Sequence, residues 1–186
     1  MSTGDVSRRD FLKLSAIWAG SAWIVGFTTA SSSNHREPYR TLTDEEAAII
    51  DALADQIIPP DEYPGGKDAG VTHFVDQQLG GYLKGFASEY KTCLPALNND
   101  AESRFGKPFI HLDEREQYSY LSELESGQFD NTSWGPYRPS SFFNIVRHHC
   151  MMGFYGSPVH GGNKEYISYQ MLGLSVVQEP KRPGAP

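Results

Sequence analysis

From Leu42 onward the chain alternates apolar stripes at helical spacing with joints rich in Gly and Pro. The first stripe is the clearest. Ile49, Ile50, Leu53, Ile57 and Ile58 recur at the intervals that place side chains on one face of an α-helix. Thr43-Asp44-Glu45-Glu46 marks its start as a capping box, in which the Thr43 and Glu46 side chains each satisfy the other's backbone N–H, while Leu42 staples onto Ala47. Pro59-Pro60 ends the helix, since proline lacks the N–H of the ladder and disfavours helical geometry in the residue before it. The stretch Asp61 to Gly70, with Asp61, Glu62, Asp68, Pro64 and Gly65-Gly66, reads as a surface loop.

The pattern predicts a second helix from Val71 to Leu83 with Val71, Phe74, Val75 and Leu79 inward. A third covers Phe86 to about Ala101 and is expected to break near Pro95. Asp76, Gln77, Lys84 and Glu89 fall on the polar faces of these two and are expected in solvent. Asp113-Glu114-Arg115-Glu116 is another N-cap pattern, followed by Tyr118, Leu121 and Leu124 on one side and by Gly127 at the C-cap position. Gln128 to Pro139 shows no periodicity and suits an ordered loop. Ser140-Ser141 opens a fifth helix whose Phe142, Phe143, Ile145, Val146, His149 and Cys150 are apolar round much of the circumference, as a central helix would be. A Gly-rich run, Phe154 to Asn163, and a short amphipathic stretch, Lys164 to Leu172, complete the body. No strand ladder is visible, so the expected fold is all-α, a loop-rich bundle of about five to six helices.

The first thirty residues differ from the rest. Ser7-Arg8-Arg9-Asp10-Phe11-Leu12-Lys13 precedes a mildly apolar run from Leu14 to Phe27 diluted by Ala, Gly and Ser. Paired Arg8 and Arg9 followed by Phe11, Leu12 and Lys13 form the twin-arginine export pattern, and the run is too short for the roughly 20 residues a membrane span needs. The division expected is a signal peptide over 1–30, with Thr28-Thr29-Ala30 as a small-residue cleavage site, a helical domain over 31–175, and a Pro- and charge-rich tail over 176–186, extended or disordered unless a partner holds it.

With 16 Lys and Arg against 23 Asp and Glu the net charge is −7, and no basic stripe exists to neutralise phosphates, so nucleic acid is excluded as a partner. Twin-arginine export carries folded proteins, usually ones that hold a cofactor or travel with a partner that does. This body has no place for one. Neither Cys93 nor Cys150 opens C-x-x-C-H, two cysteines cannot hold an iron–sulfur cluster, and no G-x-G-x-x-G, P-loop or G-x-S-x-G is present. His148 and His149 point about 100° apart on a helix. His149 with Met152, or His148 with Met151, would share a face, which leaves open a free-standing redox or metal-binding protein using His148, His149, Met151 and Met152. One buried and one exposed histidine explains the same letters. For Cys93 and Cys150 an oxidising compartment favours an internal bridge, with two free thiols and an intersubunit bond as the other possibilities.

The order of these features resembles a known family. A twin-arginine signal, Leu-Thr-x-x-Glu leading to Ile-Ile-Pro (Leu42 to Pro59), an acidic Pro/Gly loop, Ala-Gly-Val leading to Phe-Val-Asp (Ala69 to Asp76), and Phe-Tyr-Gly leading to Gly-Gly-Asn (Phe154 to Asn163) together look like gluconate 2-dehydrogenase subunit 3. Tyr169 stands where that family's last helix is expected to carry Trp. The resemblance implies the small, non-catalytic subunit of a heterotrimeric, membrane-associated dehydrogenase in the periplasm. A large partner would hold FAD, a multihaem cytochrome c partner the c-type haem, and the small subunit would bring the large one to the twin-arginine translocase and stabilise it. Trp134, Tyr137, Phe154 and Tyr155 are expected to face the partner, although Trp134 and Tyr137 would serve equally to close over this domain's own core.

Overall fold

Thr43 caps the first helix as its sequence requires. In the computed structural model, which describes residues 39–127 and 133–174, the Glu46 amide donates to Thr43 Oγ1 at 3.2 Å and the Thr43 amide to Glu46 Oε2 at 2.7 Å. Helix α1 then runs Asp44–Ile57. It is followed by α2 (Val71–Leu79), α3 (Ala87–Phe105), α4 (Glu114–Ser126), α5 (Pro139–Tyr155) and α6 (Ile167–Met171). Short 3₁₀ turns at Lys84–Phe86, Phe109–His111, Pro158–His160 and Lys164–Tyr166 join them, and among the described residues there is no strand. The described residues fall within one compact unit. The signal segment, the tail from 175 and residues 128–132 of the loop lie outside the described residues.

Helix α5 packs against all five other helices. The reason is in its composition: Phe142, Phe143, Val146, His149, Cys150, Gly153 and Phe154 are buried, spread over more of the circumference than a one-sided stripe would cover. Pro139 sits at the first helical position, where its missing N–H has no partner to lose. Gly153 is where α5 meets α2, since a Cβ there would lie 3.0 Å from the Phe74 ring.

Four expectations need correction. The second helix stops at Leu79 rather than Leu83, because Gly80-Gly81 favour a turn and the chain tightens into the 3₁₀ turn that follows. The third helix does not break at Pro95 but continues through it to Phe105 and closes on left-handed Gly106. Pro95 is exposed, so water can meet the Lys91 carbonyl that the ring deprives of a donor. In α4 the inward aromatic is Tyr120, not Tyr118. Tyr120, Leu121 and Leu124 form the buried face, whereas Tyr118, about 200° round from Tyr120, is exposed. The loop after α1 also turns partly inward, because Gly65, Gly66, Ala69 and Gly70 are buried and any Cβ on Gly66 would stand 2.6 Å from the Ala54 carbonyl oxygen.

Asp76 is a further departure. Expected in solvent, it is buried, and its carboxylate accepts the amides of Arg40 at 2.9 Å, Thr41 at 2.8 Å and Leu42 at 2.9 Å. A carboxylate on α2 therefore holds the bent entry into α1 by accepting three consecutive backbone amides, of which that of Leu42 is buried.

Candidate functional site

Chemically capable side chains converge where α3 crosses α5. Tyr90 of α3 and His149 of α5 are both buried, with the Tyr90 hydroxyl 3.0 Å from His149 Nδ1 and the two rings stacked at 5.9 Å. With the imidazole proton on Nε2, the hydroxyl donates and Nδ1 accepts. Phe86 meets the His149 ring edge-on at 5.0 Å, Phe142 meets Tyr90 edge-on at 5.4 Å, and Trp134 lies 6.2 Å from Phe142. The result is a continuous aromatic layer.

Burial decides the chemistry here. Desolvation, with a smaller contribution from neighbouring His148, lowers the His149 pKa to about 4. Burial first, then Cys150 and Glu89, pushes the Tyr90 hydroxyl well above its ordinary range. The thiols of Cys93 and Cys150 are pushed up to about 12, both chiefly by burial. A buried thiol that stays protonated is a poor nucleophile at neutral pH.

The structure distributes the sequence-predicted residues unevenly. Trp134 and Phe154, expected to face a partner, are instead fully buried in this domain's own core, Trp134 as the end of the aromatic layer against Phe142. Tyr137 is half-buried against that core. Of the four, Tyr155 alone is exposed, at 39%, one turn beyond exposed Met151 on α5. Cys93 and Cys150 are free thiols, so the internal bridge is not formed. His148 and Met151 are exposed, His149 is buried and Met152 half-buried, so the four do not converge on one point, and Nδ1 of His149 is already engaged by Tyr90. No group of three or more metal-ligating side chains is assembled among the described residues. Arg8, Arg9, Phe11, Leu12 and Lys13 lie outside the described residues.

Two features escaped the sequence reading. The run after α5 folds back as a strap over α2: the Lys164 amide donates to the Ala69 carbonyl at 2.9 Å, and Gln78 Nε2 to the His160 carbonyl at 3.2 Å. Asn163 clasps it. Fully buried and left-handed at φ 46°, its side chain donates to the Gly156 carbonyl at 2.8 Å and accepts the Ser168 amide at 3.0 Å. Glu165 and Tyr166 are also left-handed, at φ 55° and 60°. Gly162 is required because a Cβ would meet the Gly153 carbonyl oxygen. The Gly-Gly-Asn run was the signal for this clasp, readable as a turn but not as a lock. The second feature is an open groove of about 590 Å³ between the end of α1 and the start of α4, lined by Asp55, Gln56, Pro59, Glu114, Arg115 and Tyr118.

An all-helical domain whose histidine, tyrosine and thiols are consumed by its core is the class of protein this arrangement defines. The chain belongs to the gluconate 2-dehydrogenase subunit 3 family, whose model matches residues 44–175. Membership implies a subunit of a multi-subunit dehydrogenase complex. Searches of curated proteins and of solved structures returned no match. Among the described residues no helix is long and apolar enough to cross a membrane.

Proposed function

We propose that this chain is the non-catalytic small subunit of a heterotrimeric, gluconate 2-dehydrogenase-like complex in the periplasm. It escorts the FAD-containing large subunit through the twin-arginine translocase and supports its maturation and stability, while a multihaem cytochrome c subunit carries the electrons on. The complex, rather than this chain, holds the association with the membrane. The observation that carries the reading is the family match combined with the state of the reactive side chains: His149, Tyr90, Cys93 and Cys150 are spent on packing. The paired arginines at the N-terminus support the export role.

Replacing both Arg8 and Arg9 with Lys tests it. The substitution keeps the charge but removes the planar guanidinium pair. Dehydrogenase activity should then remain in the cytoplasm together with this chain. Full periplasmic activity in the double variant would end the escort role. The purified chain should show no visible absorption band, whereas a redox or metal protein built on His148, His149, Met151 and Met152 would show one.

A further inference from the structure

We propose that the His149–Tyr90 contact is a pH-sensitive joint, closed at neutral pH and opened by acid, which couples the packing of α3 on α5 to the protonation of one imidazole. Neutral His149 accepts the Tyr90 hydroxyl, and this fixes the phenol ring, the Phe142 edge beneath it and the Trp134 contact beyond. Protonation turns Nδ1 from acceptor to donor. The Tyr90 hydroxyl must then turn its own hydrogen into a fully buried setting, and a cation must stand between the Phe86 and Tyr90 rings.

The surrounding charges do not compensate. On α5 the neighbours are His148, whose ring centroid is 6.1 Å away and whose own positive charge would oppose a second, and the protonated Cys150 thiol. On α3, Glu89 and Lys91 flank Tyr90; the Glu89 carboxylate bears on the Tyr90 hydroxyl, whereas burial and His148 bear on His149. Lys91 is taken by Glu46 of α1 at 2.7 Å. Asp76 of α2 is held by the amides of residues 40–42. Among the described residues no carboxylate pairs with His149. The arrangement is the reverse of a histidine salt bridge, in which acid would strengthen the contact.

The sign follows from linkage. The folded pKa of about 4 lies below the ordinary 6.5, so the unfolded chain takes up the proton first, and stability falls as pH drops from 6.5 towards 4. The gap corresponds to a rise of up to about 300-fold in the unfolding constant.

The test uses the full chain. Its histidine resonances are followed by NMR as pH is lowered, and urea unfolding is measured from neutral pH to pH 4 for wild type, His149→Gln and Tyr90→Phe. Gln keeps an acceptor for Tyr90 but does not titrate. The expected result is a His149 midpoint below 6.5 and an unfolding profile for His149→Gln that is flatter than wild type over this window. Tyr90→Phe, which takes away the bond to the neutral imidazole, should weaken the fold at neutral pH and give a profile shallower than wild type. A midpoint at or above 6.5, or parallel profiles for wild type and His149→Gln, overturns the joint. If His149→Gln does not fold, the wild-type NMR midpoint decides alone.

Discussion

Asp76 carries three backbone amides, and its replacement is the most informative single-residue test of the fold. Asp76→Ala should lower stability by about 2–4 kcal/mol, since it removes the one acceptor shared by three amides at the entry to α1 and leaves that of Leu42 buried without a partner, while Asp76→Asn, which keeps an acceptor, should lose about half as much. Urea denaturation of the two variants checks both numbers. Helical patterning alone did not distinguish Asp76 from Gln77 beside it, although Asp76 closes the Phe-Val-Asp run quoted for the family resemblance. Both are polar, and the structural distinction arises only when residues 40–42, 34 to 36 positions earlier, arrive as donors. Trp134 and Phe154 were ambiguous for a related reason: an aromatic side chain suits an interface and a core equally until neighbours such as Phe142 are placed. His148 and His149 were half readable: residues about 100° apart on one helix need not share a face, so one buried and one exposed histidine stood among the readings, but α5 also buries neighbours such as Phe142 and Phe143, and only the packing shows which histidine goes inside.

Local chemistry was enough to place the helices. The starts of α1 and α4 are legible because a capping box needs only four residues, and both boxes form, with Asp113 and Glu116 exchanging bonds at 2.8 and 2.9 Å in the second. Where an element's end depends on its surroundings, legibility fails. Proline is a helix breaker on average, but the cost at Pro95 is reduced because its side of α3 faces water. The cost is not abolished, however. Pro95→Ala should restore the bond to the Lys91 carbonyl and stabilise the protein by about 1–2 kcal/mol, after allowance for the added freedom of the unfolded chain. A higher thermal midpoint with unchanged helical circular dichroism would confirm it, and a lower one would mean that the proline ring is needed for packing.

For the molecule as a whole, acid acts at more than one joint. Burial alone would raise the Glu46 pKa, but its bonds to Lys91 and Thr43 outweigh this and leave it below 4.5. Its contribution is therefore present above pH 4.5 and lost as pH falls below that, just under the window in which His149 acts. Lys91→Met should cost about 0.5–1 kcal/mol at neutral pH, because half of the pair is solvent-exposed, and the deficit should vanish once Glu46 is protonated. Denaturation at pH 7 and in strong acid would show the convergence. The strap clasped by Asn163 has a consequence for the order in which the chain is made. Its hydrogen bonds reach back from Lys164 to Ala69 and from His160 to Gln78, and Gly153 of α5 seats Phe74. At roughly 5–20 residues per second a ribosome needs about 4–17 s to travel from Leu79 to Lys164. Over that interval the Phe74 side of α2 gains its cover in two steps, first from α5 at Gly153 and last from the strap, and a chain interrupted before α5 is made displays an apolar helix face rather than a smaller finished domain.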